Sequence, residues 1–548
     1  MIVLGVSGGL SHDPAAAIVV DGRLIAAAEE ERFIRKKRAR FELPIHAIHY
    51  CLAAAGIGLR DVDMLAAGWN PELAPDAEQP RDYLQAIVDH DLLRGELPPV
   101  TPVDHHLAHA YASWAGSGFI DGAVIVADGR GEAAATSIYI AKDRSLERKA
   151  VFGIRDSLGY LYGATTRYLG FGDGAEGKVM GLASYGKPIR DFPITLDPSG
   201  YSVDLSVPDA PWDEYGRALQ KSWATWLAGA FGPRPVLKHA YDVRAGRIRA
   251  SHDDVLAYAD VAASAQSALE SVMTHLAKTA LSWTPAKNLI LGGGVALNCS
   301  SNGKLVNLAG LDRMYIFPAA GDAGTAVGAA LWMAEQMGDR VEGEIEHAFF
   351  GPSFDDGEIR QTLTELGVSA RQVDAAGVAA NLILDGKVLG WFQGRAEIGP
   401  RALGHRSILA NPQLHSMLER VNRIKGRELW RPLAPSALPA TAEKMLGTDK
   451  GSPFMLRAFP MVDDMRMTLP AVSHVDGTTR AQVVSSLHNE EYARLLGHLG
   501  DATGYGVVMN TSFNDETEPI VQTPRDALRT FYSTGLDALV IGNWLVEK

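Results

Sequence analysis

The sequence predicts an α/β protein with a duplicated N-terminal domain followed by a second α/β domain. Three observations carry this. A strand, glycine turn, strand order at the start of the chain recurs around residue 122. Later strands of buried type run into glycine loops and then into helical patterns. Beyond an acidic, irregular stretch at 338–351, helix and strand patterns start afresh.

Taken in order, Ile2–Gly5 is apolar and β-branched and leads into Ser7-Gly8-Gly9. Ala15–Val20 reads as a second strand, Asp21-Gly22 as a turn and Leu24–Ala28 as a third strand. The echo consists of the strand Ala123–Ala127, the loop Asp128-Gly129-Arg130-Gly131 and the strand Thr136–Ala141. Helices are expected over Pro44–Ala55, His105–Ala115 and Val255–Leu281, from apolar spacing. Asn288–Leu291 is a strand entering Gly292-Gly293-Gly294, and Met314–Phe317 a strand entering the loop that ends Gly321-Asp322-Ala323-Gly324. Thr325–Met337 reads as a helix, and Val388–Phe392 and Val507–Asn510 as strands of the second domain. The boundary is expected near residue 345, giving domains 1–345 and 346–548.

Composition narrows the class. The 548 residues are 47% hydrophobic and 21% charged, as in a folded enzyme, and the 56 glycines suggest many tight turns or backbone-lined ligand sites. Lys+Arg 52 against Asp+Glu 65 leaves −13, which argues against a nucleic-acid partner. Two cysteines cannot build a disulfide framework, the N-terminal apolar run is broken by His12, Asp13 and Pro14, and no uninterrupted apolar stretch could span a bilayer. A cytoplasmic location and no membrane partner are therefore expected.

Three familiar patterns fail on context. Gly5-Val6-Ser7-Gly8-Gly9 matches a serine-hydrolase elbow, but a strand, not a helix, follows Ser7. Gly172–Gly177 matches a dinucleotide fingerprint without a strand before it, and ends in Gly177-Lys178-Val179, where a phosphate loop needs a hydroxyl. Glu176–Gly181 is left as a glycine-bordered turn carrying one acid and one base, Lys178.

Several residues could carry chemistry. His105 and His109 are spaced i, i+4 and share a helix face, which suits either a packed face or a metal pair. Asp128 and Asp322 each follow a strand, where α/β folds place ligand-binding groups. Two imidazoles and two carboxylates would suit iron(II), manganese or zinc. Gly292, Gly293 and Gly294 form either a phosphate cradle or a tight strand-to-helix turn. His12 could be turn chemistry beside Asp13 or a contact to a reacting group. In the second domain Arg395, Arg401 and Arg406 punctuate a glycine-rich stretch, and Lys425, Arg427 and Arg431 follow. Interleaved with Gly, Pro and apolar residues, they point to an anionic ligand. Asn510-Thr511-Ser512-Phe513-Asn514 offers small polar groups after a strand.

Together these motifs resemble the O-carbamoyltransferase family of antibiotic and nodulation-factor biosynthesis. The resemblance covers nearly the whole chain. It rests on Ser11-His12-Asp13, His105–His109, Asp128–Glu132, Glu176–Ala183, Gly292–Asn298, Ala319–Gly324, Gly399–Gly404, Arg431–Pro435 and Asn510–Asn514, in that order. It implies an actin-like (ASKHA, Kae1-type) duplicated domain followed by a YrdC-like twisted α/β domain. It further implies that carbamoyl phosphate and ATP, with magnesium, form carbamoyl-AMP in the second domain. The first domain would then transfer the carbamoyl group to a hydroxyl of a small natural-product acceptor.

By the same resemblance His105, His109, Asp128 and Asp322 are metal ligands, typically for iron(II). Arg401, Lys425 and Arg431 neutralise phosphate charge. Lys178, Gly292, Gly293, Gly294, Asn298, Gly321, Arg395, Arg480, Asn510, Thr511 and Ser512 match nucleotide-contacting positions, and His12 and Lys37 (or its neighbour Lys36) lie near the transferred group. The chain departs from the family in the basic run Arg35–Arg38 and in the absence of a glycine before Glu518-Pro519. Residues 187–285 carry few of its motifs and name no acceptor. A threonylcarbamoyl-adenylate-type tRNA-modifying enzyme and a non-catalytic nucleotide-binding regulator are the competing readings. The acidic charge opposes the first, and a metal set plus a second anion site would be surplus in the second.

Overall fold

The computed structural model describes residues 1–7, 13–74, 86–87, 90, 98–235, 239–242, 247–250, 252–341 and 343–548. Two compact units emerge: Met1–Glu30 with Arg38–Ile345, and Glu31–Lys37 with Glu346–Lys548. The second unit thus begins at Glu346 but also includes a seven-residue segment from near the N-terminus, Glu31–Lys37, which lies inside the span 1–345 expected for the first domain.

In the first unit, β1 (Ile2–Val6), β2 (Ala15–Val20), β3 (Arg23–Glu29), β4 (Met64–Ala67) and β5 (Val100–Pro102) form a sheet ordered β3-β2-β1-β4-β5. β1 to β3 pair antiparallel, while β4 and β5 continue in parallel from β1. A second sheet uses β6 (Gly122–Ala127), β7 (Ala134–Lys142), β8 (Ser145–Gly153), β9 (Asn288–Gly292) and β10 (Arg313–Ile316). Its order, β8-β7-β6-β9-β10, and its pairing senses repeat those of the first.

The repeat extends to single bonds. Ser7 N–H donates to Ala15 O at 3.0 Å, and Asp128 N–H to Ala135 O at 2.8 Å, so Asp128 occupies in the second half the place of Ser7 in the first. Both second hairpins close on two residues at positive φ, Asp21 (50°) and Gly22 (74°), then Asp143 (50°) and Arg144 (63°). This turn matches the right-handed twist of the strands.

Helix α1 (Ile45–Ala55) packs on β2 and β3. Helix α2 (His105–Ser117) follows the last strand of the first sheet yet packs on β6, β9 and β10 of the second. Helix α5 (Thr325–Gln336) follows the second sheet and packs on β1, β2 and β4 of the first, and α2 and α5 touch each other. This exchange of helices between duplicated sheets is the actin-like (ASKHA) arrangement.

Two sequence expectations are corrected. Glu176–Gly181 is not a turn but part of helix α3 (Glu176–Ala183), because Val179 and Leu182, three residues apart, share one buried face. The helix expected over Val255–Leu281 is two, His252–Leu256 and α4 (Ala259–Ser282). Tyr258 interrupts it, its carbonyl accepting from the N–H groups of Val261 and Ala262 to start α4 anew. Helix α3 packs against α4, which also lies on β6.

The second unit is built on an eight-stranded mixed sheet. Its strands are β11 (Arg371–Gln372), β12 (Leu389–Phe392), β13 (Arg406–Ala410), β14 (Ala434–Ala437), β15 (Gln482–Val483), β16 (Val507–Ser512), β17 (Ala538–Ile541) and β18 (Trp544–Glu547), in the order β11-β18-β17-β12-β13-β16-β14-β15. β12 and β17 are parallel and β12, β13 and β16 antiparallel. Helices α6 (Ala375–Leu384) and α8 (Glu490–Thr503) close a core of Leu389, Trp391, Leu409, Tyr492, Leu495 and Val540, while α7 (Ser416–Ile424) leads into Lys425 and α9 (Pro524–Ser533) packs on β12 and β17. Central strands such as Ala538–Ile541 are buried throughout, which is why they read as unbroken apolar runs. Among the described residues no helix is long and apolar enough to cross a membrane.

Candidate metal centre and anion site

The first unit brings His105, His109, Asp128 and Asp322 together, their ligand atoms all within 4.8 Å of one another. Each comes from an element end. His105 and His109 start α2, Asp128 ends β6 and Asp322 lies between β10 and α5. His105 Nε2 lies 3.2 Å from Asp128 Oδ2 and 3.8 Å from Asp322 Oδ1, and His109 Nε2 is 3.7 Å from each of these oxygens. The two Nε2 atoms face each other at 3.1 Å. Two ring nitrogens so close cannot both carry protons, and converging lone pairs between two carboxylates fit a divalent cation. Only His105, His109 and Asp128 are fully buried; Asp322 is half-buried.

Neighbouring groups fix the ligands. His105 Nδ1 lies 3.1 Å from Gly68 O, so Nδ1–H donates there and Nε2 is left to coordinate. Gly294 N–H donates to Asp128 Oδ1 at 2.9 Å. Burial pulls the His105 imidazole down, but the hydrogen bond to Asp128 and the nearby Asp322 charge overcome it and push it up to about 10. Asp128 is held well below the carboxylate range, its burial outweighed by His105 and His109. His106, turned away onto Ser137 Oγ at 2.9 Å, is driven down to about 3 by burial and the neighbouring His105.

The other sequence candidates in this unit have different surroundings. Gly293, at φ 84°, needs its missing side chain, since a Cβ would sit 2.3 Å from Ala127 O. The triple glycine therefore lets the loop pass close to β6, and the Gly294 N–H serves Asp128 rather than standing open. Asn298 exchanges hydrogen bonds with Gln266 at 2.9 and 3.0 Å and caps the helix Cys299–Leu305 through Ser301 N–H. Gly321 immediately precedes Asp322 and is half-buried. Lys178, on α3, sits 5.5 Å from the Phe171 ring centroid. His12 lies outside the described residues.

The second unit gathers cations. Lys425 is 3% exposed, and its Nζ donates to Ser512 O, to Asn514 O and Asn514 Oδ1 (both 2.8 Å) and to Ser512 Oγ at 3.3 Å. Burial and then the charges of Arg427, Lys37 and Arg431 pull it well below the usual lysine value. Burial and the neighbouring Arg431 likewise lower Arg427, whose Nε donates to Asn422 Oδ1 at 2.6 Å. Among the described residues the buried Nη2 of Arg427 and Nε of Arg480 have no hydrogen-bond partner. Arg431 stands 3.9 Å from Glu516 Oε1, and Lys37 Nζ donates to Glu516 O at 3.0 Å, so Lys37 belongs to this cluster through the segment claimed by the second unit. Mutually repelling buried cations with open donors suit a polyanion.

Two arginines here donate to backbone carbonyls. Arg395 donates to Gly351 O (3.2 Å) and Phe350 O (2.7 Å). Arg406, fully buried, caps Gln393, Gly394 and Pro352 carbonyls. Asn510 Nδ2 donates to Ala402 O at 3.1 Å and Ser436 Oγ at 2.9 Å inside the core. Thr511 lies on β16 opposite Ile408, and Arg401 is half-buried just beyond Gly399-Pro400. Glu132 is a further buried acid that the sequence does not single out; its place at the end of the Asp128–Glu132 motif is the one signal the sequence offers.

With an actin-like unit carrying a His/Asp set and a second unit carrying a cation cluster, the chain belongs to the carbamoyltransferase family. The family's N-terminal domain, "Carbamoyltransferase N-terminus", matches residues 2–86 and 79–331, and "Carbamoyltransferase C-terminus" matches 380–548. The chain is similar to nodulation protein NolNO of Sinorhizobium fredii, 37% identical over 100% of this chain and 83% of that protein. It is also similar to nodulation protein NolO of Bradyrhizobium diazoefficiens, 36% identical over 81% of this chain and 79% of the relative. A third relative is the 3'-hydroxymethylcephem-O-carbamoyltransferase of Amycolatopsis lactamdurans, 32% identical over 47% of this chain and 49% of the relative.

Proposed function

We propose that the protein is an ATP-dependent O-carbamoyltransferase that makes carbamoyl-AMP and passes its carbamoyl group to a hydroxyl of a small acceptor. The observation that carries this reading is the pairing of two chemically distinct sites, a cation cluster in one unit and a His/Asp set in the other. Around Lys425, Arg427, Arg431 and Arg480, carbamoyl phosphate is hydrolysed to carbamate and phosphate. The carbamate oxygen attacks the α-phosphorus of ATP and pyrophosphate leaves, with magnesium accompanying the nucleotide. The arginines and lysine hold the phosphate oxygens and offset the charge that develops on them. In the first unit an acceptor hydroxyl attacks the carbonyl carbon, its proton is lost and AMP leaves.

His105, His109, Asp128 and Asp322 would hold a divalent metal, iron(II) by family resemblance. When bound it supplies Lewis-acid stabilisation of the departing phosphate. The four side chains keep that position fixed, with His105 oriented by Gly68 O and Asp128 by Gly294 N–H.

The test is pyrophosphate and AMP formation from ATP, magnesium and carbamoyl phosphate. Pyrophosphate release that does not depend on carbamoyl phosphate sinks the reading. Bicarbonate plus threonine supporting release would favour the tRNA-modifying route instead. Arg431→Ala should lower carbamoyl-phosphate-dependent pyrophosphate release at least about 100-fold. His109→Ala should leave that release intact while abolishing transfer to a hydroxylated acceptor. Equal loss of both steps in His109→Ala would refute the separation of the two sites.

A further inference from the structure

The metal ligands are held by a carboxylate that is not itself a ligand. Glu132 is 3% exposed and lies in the loop between β6 and β7. Its Oε1 accepts from Asn70 N–H at 2.7 Å, and Oε1 and Oε2 together accept from His105 N–H at 3.1 and 3.2 Å. One side chain thus ties the 68–70 loop to the first residue of α2. That loop also supplies Gly68 O, which receives the His105 Nδ1 proton, and Trp69, whose ring stands edge-on to the His105 ring at 5.3 Å. The Glu132 backbone is itself anchored, its carbonyl accepting from Trp212 Nε1–H. The preceding residue must be glycine for this approach, because a Cβ on Gly131 would lie 2.9 Å from His106 Cδ2.

We infer that Glu132 is a positioning residue for the metal centre: by clamping the His105 backbone and the loop that bears Gly68 O, it fixes both the place and the aim of the His105 imidazole. The inference rests on the metal reading above. A carboxylate is needed because both partners are N–H donors. An amide oxygen in the place of Oε1 could still accept from both, but the NH2 standing in for Oε2 would turn its hydrogens on the His105 N–H. The helix start does not depend on Glu132 for its cap, since Asp104 accepts from Leu107 N–H at 2.8 Å and serves that purpose. The two acids therefore separate helix capping from ligand aiming.

Cobalt(II), titrated anaerobically into the full chain and followed by its d–d absorption and by calorimetry, provides the test. Glu132→Gln should fold as the wild type does by circular dichroism, bind cobalt about 10–100-fold more weakly and show a changed d–d spectrum. Asp104→Ala should lower the melting temperature but leave cobalt affinity within about twofold of wild type. If Glu132→Gln fails to fold, Glu132→Asp, one carbon too short to reach both partners, takes its place with the same expectation. Wild-type affinity in the Glu132 variant, or an equal loss in Asp104→Ala, overturns the inference and leaves the metal reading standing. A wild-type chain that takes up no cobalt overturns both.

Discussion

At His105 two opposing forces meet, and the outcome sets a pH dependence. Burial favours the neutral ring, while Asp128 and Asp322 favour the charged one and prevail, placing the group at about 10 against 6.5 in an unfolded chain. A raised value means the folded state holds the proton more tightly, so its stabilising contribution is complete below pH 6.5 and disappears as pH rises through about 10. The stability lost on His105→Gln, measured metal-free by thermal denaturation, should therefore shrink from pH 6.5 towards 10. A loss that is constant or grows over that range denies the pairing. A metal must displace this proton, so metal affinity should climb over the same window, with protons released on binding. Chemical residue types were legible in the sequence: the i, i+4 histidines and the strand-end aspartates stood out. Glu132 did not, because its role lies in two backbone N–H groups from segments far from it in sequence.

At the scale of elements, the duplicated hairpins make the clearest case for what local sequence controls. Both turns require positive φ at their two central residues; the first half has Asp21-Gly22, and the second has Asp143-Arg144. Arg144 carries a Cβ into left-handed space, so Arg144→Gly should raise stability by about 1 kcal/mol, read from the urea midpoint, with a fall in the midpoint arguing against strain at this turn. Gly293→Ala works in the opposite direction. With φ at 84° and the β6 carbonyl of Ala127 in the way, it should cost about 1–3 kcal/mol in the same measurement. Strand positions were readable because buried strands are apolar along their length. Helix α3 was not, because its glycines masked the three-residue spacing of Val179 and Leu182. The break at Tyr258 was also hidden, since apolar periodicity runs straight through it.

At the scale of the molecule, a net charge of −13 coexists with a buried cation cluster in the second unit. A tRNA acceptor would need an exposed basic surface, so tRNA added at physiological salt should neither gain label from carbamoyl phosphate nor inhibit pyrophosphate release; labelled tRNA would contradict this. The sequence by itself determined the α/β class, the duplication and the identity of the chemistry-bearing side chains, because strand and helix periodicities and residue types are local properties. Only the tertiary structure decided which of them meet. It joined His105 and His109 to Asp128 and Asp322 by exchanging helices between two sheets, and it carried Lys37 with residues 31–37 into the second unit. It also committed Arg395, Arg406 and Asn510 to backbone and core contacts. Those outcomes depend on contacts between segments separated along the chain, from 12 residues for Arg406 and Gly394 to 479 for Lys37 and Glu516, where packing and desolvation, not local propensity, choose the partner.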